Sequence, residues 1–548
     1  MQSKEAFIKQ QGMQLFGNRG SLMYYWQEIA SNFYPERADF TVDRTLGEDF
    51  ASDLATGFPL MVRRDLGNAF SGMLRPTSKK WFHIQVENWD TVGTEAKRWL
   101  EKAEDRMRKA MYHKDTQFVI AMKQGDHDFA AFGQDVIQLS LNSTANGLLY
   151  RCWHLRDVAW VADTDNKIAT VFRKWEPTAA ELVKLFPKSC HEEVHTKIKN
   201  GHSNEKIKVW HAIMPVEVSG PFAEDIKTPF VGVYFDTENN HIMEEVGSKR
   251  QEYIIPRWQT VSGSQYAYSP ATVVALSDAR TLQEMTITLL EAGEKSTNPP
   301  LLGVKGALRS DVNLMAGGLT WVDSEYDERL GEVLRPLTVD KSGLPTGFMM
   351  ADTLQDQLVK AFFLDKLSLP PQDVEMTAFE TGKRVEEYIR NALPLFEPME
   401  SESNTPICEN TFEMLLENGV FGSPYEVPDE LKDRNVEFVF ESPLHDALER
   451  QKGQRLLEAA SLIANISAID PNVRHTIDAA VGVRDTLHGS GVPAKWIRSA
   501  GEVAEIAKNE AKQQEQAQMM EQMKVGSEVA KNIGSVQPPG GIAPPEGP

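Results

Sequence analysis

The chain has 548 residues, 41% of them hydrophobic, and its 79 acidic side chains against 58 basic ones give a net charge of −21. That length exceeds what one core fills, so several subdomains are expected. The negative surface argues against a protein that grips DNA by neutralising phosphates. Three scattered cysteines, Cys152, Cys190 and Cys408, make neither a C-x-x-C pair nor a disulfide scaffold and fit synthesis in a reducing cytosol. No run approaches the ~20 apolar residues of a membrane span. The opening MQSKEAFIKQQGMQLF mixes Lys and Glu into its apolar positions and reads as an amphipathic helix without a signal-peptide core.

In chain order, residues 4–33 are helical in pattern and stop at Pro35, and a second helix is expected from Gly47 to Leu74. Charged amphipathic helices follow over Glu95–Lys114 and Thr116–Phe132, and Gly133 ends the second. From Val136 to Trp175 apolar and polar residues alternate, with Asn146-Gly147 and Asp165-Asn166 at the turns, as in antiparallel hairpins. A short helix near Thr178–Phe186 precedes further strands at IKVWHAIMPVEV, FVGVYFDT and HIMEEVGSKRQEYIIPRW. The order is α+β rather than alternating βαβ.

The rest of the chain is organised around Ile254–Leu302, a strand, a Gly/Ser turn and a long helix. Ser269 is placed to cap that helix, Pro270 fits its first position, and Asn298-Pro299-Pro300 forbids its continuation. Its apolar residues Val273, Val274, Leu276, Met285, Ile287, Leu289 and Leu290 fall on several faces. Such a helix is enclosed on several sides, by the core of one chain or by copies of itself. Residues 296–350 are rich in Gly and Pro, with strand-like pieces at Leu319–Val322 and Val333–Leu337. A second helix is expected to start at Asp352, with Gln355 completing a capping box. From Thr377 to Gly419 the pattern is helical but interrupted by Pro394, Pro398 and Pro406. A strand within PDELKDRNVEFVFESP leads to a further helix, and the terminal GSVQPPGGIAPPEGP is low in complexity.

One motif proposes chemistry. His191-Glu192-Glu193-Val194-His195 fits H-E-x-x-H, in which two histidines one turn apart bind zinc and Glu192 activates water. The segment is short and charged. The extended pattern asks for Gly and His where Ile198 and Gly201 stand, His202 comes one residue late, and Glu217, the other candidate third ligand, sits in a strand-like run. ETGKRVE lacks both the first glycine and the Ser or Thr of a phosphate-binding loop. His83, His154 and His211 lie in strand patterns and read as structural.

The run PRWQTVSGSQYAYSPATVVALSDARTLQ resembles the signature segment of the head-to-tail connector (portal) proteins of short-tailed bacteriophages, in which a Trp-containing strand leads through Tyr-x-x-Ser-Pro into a stem helix. LPPQDVEMTAFETGKRVEEYI resembles the family's tunnel loop and the start of its long helix, and GVPAKWIRSAGEVAEIAK its C-terminal region. The resemblance spans nearly the whole chain and implies a mainly helical α+β fold. It divides into a wing with an antiparallel sheet (1–268), stem helix 1 (269–295), a clip (296–350), stem helix 2 (351–368), a tunnel loop (369–378), a long segmented helix with wing return (379–440), a helical crown or barrel (441–533) and a disordered tail (534–548).

The resemblance further implies a ring of twelve copies at one capsid vertex of the virion, assembled in the host cytoplasm, without cofactor, metal or catalysis. Double-stranded DNA would pass without sequence reading, and a terminase large subunit, major capsid and scaffold proteins, and tail or adaptor proteins would be partners. Gln372, Asp373 and Glu375 on the tunnel loop, with Lys360 and Lys366 on the stem, would face DNA. Lys305, Arg309, Asp311, Asp327, Glu328 and Arg329 on the clip would meet terminase and tail, and the seven apolar residues of the long helix would pack between subunits. Two other classes stay open: a zinc hydrolase using His191, Glu192 and His195, and a capsid or scaffold subunit without a channel.

Overall fold

The computed structural model describes residues 3–367 and 396–440, apart from 46, 78, 88–91, 143–146, 223–225, parts of 305–342, 423–426 and 433, together with scattered positions between 453 and 513. The chain divides into two compact units: Met1–Glu87 with Lys102–Glu426 and Asn435–Leu448, and Asn88–Glu101 with Val427–Arg434 and Glu449–Pro548. In the second unit the backbone N–H of Gly93 donates to the Glu430 carboxylate at 2.8 Å, and positions 456–463 are helical. The expected crown and tail lie almost wholly outside the described residues.

The first unit begins with two helices where the sequence suggests one, α1 (Lys4–Gly17) and α2 (Gly20–Phe33). The break is at Arg19, whose buried guanidinium donates to the carbonyls of Leu155, Val158 and Arg156 at 2.8, 2.5 and 2.9 Å. Those carbonyls are distant in sequence, so the interruption has no local signal. Helix α3 (Phe58–Leu74) starts eleven residues after Gly47, with Pro59 in its first turn. The segment before it is not helical: both backbone groups of Thr56 are bonded at 2.9 Å by the side chain of Gln283.

Strand β1 (Phe82–Val86) precedes α4 (Thr94–Met111) and α5 (Phe118–Phe132). Strands β2 (Ile137–Leu141) and β3 (Leu148–Cys152) pair as a hairpin. Strands β4 (Val158–Ala162) and β5 (Ile168–Trp175) turn through Asn166 at φ 60°. After α6 (Ala179–Leu185) and α7 (Glu192–Lys199) come β6 (Val209–Pro215), β7 (Phe230–Asp236) and β8 (His241–Ser248). The five-stranded antiparallel sheet has the order β4-β5-β6-β7-β8. Helix α1 covers one face of it: Ile8 and Leu15 share a buried cluster with Phe172, Ala212 and Phe235.

Short strand β9 (Tyr253–Ile254) joins β2, and β10 (Gln259–Thr260) pairs with β11 (Ala267–Tyr268). The 28-residue helix α8 (Pro270–Thr297) follows, about 42 Å long at 1.5 Å per residue. Strand β12 (Leu301–Gly303) pairs antiparallel with β13 (Leu334–Pro336), so the chain returns into α9 (Leu344–Ala361) and α10 (Leu364–Leu367). Helix α9 starts eight residues before Asp352, which lies in its interior; Gly343 and Pro345 supply the start. A π-helical turn, Glu400–Asn404, runs into α11 (Thr405–Glu417), and β14 (Val436–Phe440) closes on β1. Pro406 sits in the first turn of α11, and Pro394 lies outside the described residues.

One core ties these helices together, with Trp26, Phe33, Phe70, Phe129, Trp258, Leu282, Leu358 and Phe396 buried in a single cluster. Two arginine–carboxylate pairs lie beside it: Arg75 with Asp126, and Arg37 with Asp128 at 3.0 and 3.1 Å. Asp135 is buried nearby, and among the described residues its Oδ1 has no hydrogen-bond partner. Burial, then the charges of Asp126 and Asp128, raise its pKa well above the usual carboxylate value. Arg257 bonds both oxygens of Glu402, at 3.1 Å each, and Asn166 at 3.0 Å, joining the π turn to the β4–β5 hairpin.

Candidate assembly and channel surfaces

The seating of α8 is built from local caps and one close approach. The hydroxyl of Ser269 accepts from the N–H of Thr272 at 3.4 Å and donates to the Ala130 carbonyl at 2.8 Å. The Thr272 hydroxyl donates to the Ala131 carbonyl at 2.9 Å. The last turn of α5 leaves carbonyls without helical donors, and the first turn of α8 supplies donors for them. Gly133 ends α5 at φ 73°, and a Cβ there would stand 2.2 to 2.4 Å from backbone atoms of Tyr268 and Ser269. Only glycine allows the two helix ends to meet.

Burial divides α8 along its length. Ala271, Ala275, Leu276, Ala279 and Leu282 are buried in the chain's own core. Met285 and Leu289 are partly buried against that core, which also includes Ala351 of α9. By contrast Val273, Val274, Ile287 and Leu290 are 51, 63, 47 and 63% exposed. A groove of about 440 Å³ runs between the helices, lined by Thr281, Glu284, Thr288, Ala292, Leu344 and Gly347 among others. A Cβ on Gly347 would stand 2.7 Å from the tip of the Leu289 side chain, so α8 and α9 lie close together there.

Of the charged candidates, Lys360 and Lys366 are exposed at the end of α9 and on α10, and Lys366 lies 5.4 Å from the ring centre of Phe363. Gln372, Asp373 and Glu375 lie outside the described residues, as do Lys305, Arg309 and Glu328. Asp311, Asp327 and Arg329 are exposed, and Asp327 accepts from the Arg329 backbone N–H at 3.0 Å.

The H-E-x-x-H segment has a different geometry from the zinc motif. His191 precedes α7 in extended conformation (φ −62°, ψ 148°) and caps it, its Nδ1 accepting from the Glu193 N–H at 3.4 Å. Only His195 is within the helix, so the two rings do not stand one turn apart on one helical face. Among the described residues no three His, Cys, Asp or Glu side chains are grouped to hold a metal ion. Glu217 lies in a short 3-10 turn, not a strand. His83, His154 and His211 are engaged structurally, with Glu104 at 3.0 Å, Asp39 at 2.6 Å and Tyr253 at 2.6 Å. Burial, then the charge of Arg173, hold His211 well below the usual imidazole pKa.

Among the described residues no helix is long and apolar enough to cross a membrane. The observations define an α+β chain whose longest helix among the described residues leaves apolar side chains exposed. Residues 7–497 match the family of bacteriophage head to tail connecting proteins, and the chain belongs to that family. It is 26% identical over 535 residues to a probable portal protein of Bordetella phage BPP-1, covering 95% of this chain and 94% of that one. Likeness to the portal protein of Salmonella phage epsilon15 is 21% identity over 563 aligned positions, covering 97% and 96%. Among solved structures, a chain from the virion of a native gene transfer agent particle aligns with a TM-score of 0.35 and 8% identity, covering 82% of this chain and 95% of that one.

Proposed function

We propose that this chain is one subunit of a portal, a closed ring of twelve copies at one capsid vertex. DNA is driven in through its channel by a separate ATP-hydrolysing terminase and leaves through it at infection, and the tail attaches to it. The observation that carries this reading is the exposure of Val273, Val274, Ile287 and Leu290 on a helix whose first half is seated in the core. Exposed aliphatic side chains near the start of the helix and again two-thirds along it are surface that a neighbouring copy can cover. Head-to-tail contacts between identical chains form a ring when their rotation closes. Leu276, Met285 and Leu289 support the helix from within the chain.

In this reading α8 and α9 are the two stem helices and the β12–β13 ladder belongs to the clip. The mechanism is steric and electrostatic, with no bond made or broken. A ring of subunits each carrying a net charge of −21 holds the duplex off its wall, and Lys360 and Lys366, with the tunnel loop of Gln372, Asp373 and Glu375, offer sparse contacts. Dense phosphate neutralisation would hold the duplex in place. The clip carries Asp311, Asp327 and Arg329, with Lys305, Arg309 and Glu328, toward terminase and tail or adaptor proteins, while the wing lies among major capsid and scaffold proteins.

Native mass measurement with electron microscopy of the purified chain tests this. Isolated rings with a central hole and one subunit number are expected. A lone folded monomer at every concentration, with capsid and scaffold proteins present, overturns the proposal, and closed shells would favour a capsid subunit. Stoichiometric zinc lost on His191→Ala would favour a hydrolase.

A further inference from the structure

Beside the main core, three buried carboxylates face two guanidiniums. Asp135 follows Gly133 and Gln134 at the end of α5 and is 2% exposed. Its carboxyl packs on the backbone of α5, where a Cβ on Gly125 would stand 2.5 Å from Oδ2. The charged and titratable groups acting on it are Asp126 and Asp128 of α5, Arg75 at the end of α3 and Cys152 of β3. Arg75 is committed to Asp126 and, at 2.6 Å, to the Asn404 side chain, with Cys408 of α11 also within its field. Arg37 is committed to Asp128. Asp135 is thus left without a cation of its own, and among the described residues both Asp135 Oδ1 and Asp126 Oδ2 lack a hydrogen-bond partner. A buried carboxylate without a partner is costly, so this group either holds a proton or is drawn toward water. Among the described residues no three His, Cys, Asp or Glu side chains are grouped to hold a metal ion, which leaves a proton as the balancing charge.

The two residues before Asp135 form the seat of α8. The Gly133 carbonyl accepts from the Trp258 N–H at 2.8 Å, and Gln134 Oε1 accepts from the Ala267 N–H at 2.9 Å. Gln134 also makes a β-bridge with Arg257, and Gly133 lies against Tyr268 and Ser269 with no room for a Cβ. A carboxylate that leaves α5 for water therefore pulls on the bonds that hold the segment leading into α8. We propose that Asp135 is a proton-operated latch on that seat. With its proton the carboxyl stays packed on α5; without it, residues 133–135 move toward water and the segment before α8 is released. This goes beyond the ring reading and does not rest on it. Burial, then the charges of Asp126 and Asp128, raise the carboxyl pKa, with Arg75 opposing. The closed joint therefore keeps a proton that the opened joint gives up, and rising pH favours opening.

The test is amide hydrogen exchange read by mass spectrometry on the full chain, at a series of pH values from about 5 upward, above the exposed carboxylate range. Labelling times are scaled to the intrinsic exchange rate at each pH. In the parent chain, opening of segments 128–137 and 256–272 is expected to grow by roughly tenfold per pH unit, one proton per opening, until the folded carboxyl itself ionises and the rise stops. Strand β5, away from the joint, is expected to keep its protection. Asp135→Asn cannot ionise and should hold both segments at a constant level. Asp126→Asn removes a neighbouring negative charge, so its rise should stop at a lower pH than in the parent. That variant and the parent slope keep the test decisive if Asp135→Asn does not fold. A parent chain without the rise overturns the proposal, as does the same rise in Asp135→Asn. An equal loss of protection in β5 overturns it too, since that is unfolding of the whole unit and not release of one joint. Opening that follows potassium concentration at constant ionic strength, and not pH, would assign the balancing charge to a bound cation and overturn the latch.

Discussion

Replacing Gly133 by alanine tests the joint on which α8 is seated. The residue has φ 73°, and a Cβ would stand 2.2, 2.3 and 2.4 Å from the Tyr268 carbonyl carbon, the Ser269 nitrogen and the Tyr268 oxygen. None of these atoms can swing aside as a long side chain does. The left-handed conformation alone costs about 1–2 kcal/mol for a residue with a Cβ. Relieving the overlap requires the ends of α5 and α8 to part, which strains the bonds from Ser269 to Ala130, Thr272 to Ala131, and the Trp258 N–H to Gly133 at 2.8 Å. At about 1 kcal/mol each, those three bring the expected loss to roughly 4 kcal/mol. Gly263 is the control: its φ is 85°, and no atom lies within 4 Å of where a Cβ would stand, so Gly263→Ala should lose only the conformational part. Urea unfolding of both variants and the parent, followed by tryptophan fluorescence, measures the difference. Equal losses for the two variants would refute the close approach and the seating of α8 built on it.

Asp135→Asn should flatten the dependence of stability on pH. The native carboxyl has its pKa raised by burial and then by Asp126 and Asp128, with Arg75 opposing, so the folded state holds a proton that the unfolded chain releases. Its contribution is therefore full below about pH 4, the unfolded carboxylate range, and declines as pH rises toward the folded pKa; unfolding midpoints from pH 4 to 8 that fall equally in variant and parent would contradict this. Tyr253→Phe removes the hydroxyl shared by Arg173 Nε at 2.9 Å and His211 Nδ1 at 2.6 Å, leaving two buried groups without it. A loss of about 2–4 kcal/mol is expected by denaturant titration, and a loss under about 1 kcal/mol would count against the network. Thr178→Ala breaks the capping box with Glu181 at the start of α6 and should cost about 1 kcal/mol, read the same way.

Elements with local signals were legible in the residues alone. Ser269 and Pro270 specify the start of α8 because a cap and a missing N–H act within one turn, and alternation specifies the hairpins because side-chain direction alternates along any strand. Family membership was legible for a related reason, since the Trp-strand, Tyr-x-x-Ser-Pro and helix occur in one continuous run. The start of α9 was also written locally, at Gly343 and Pro345, but Asp352 and Gln355 imitate a capping box inside the helix. The break at Arg19, the late start of α3 and the pairing of β1 with β14 were decided only by the tertiary structure. Each depends on backbone groups brought together from far along the chain, and nothing in a local window records which distant partner will claim them. The same reason governs α8: the sequence makes its several faces apolar, but only packing against α9 and the core determines which of them the chain covers itself and which remain exposed.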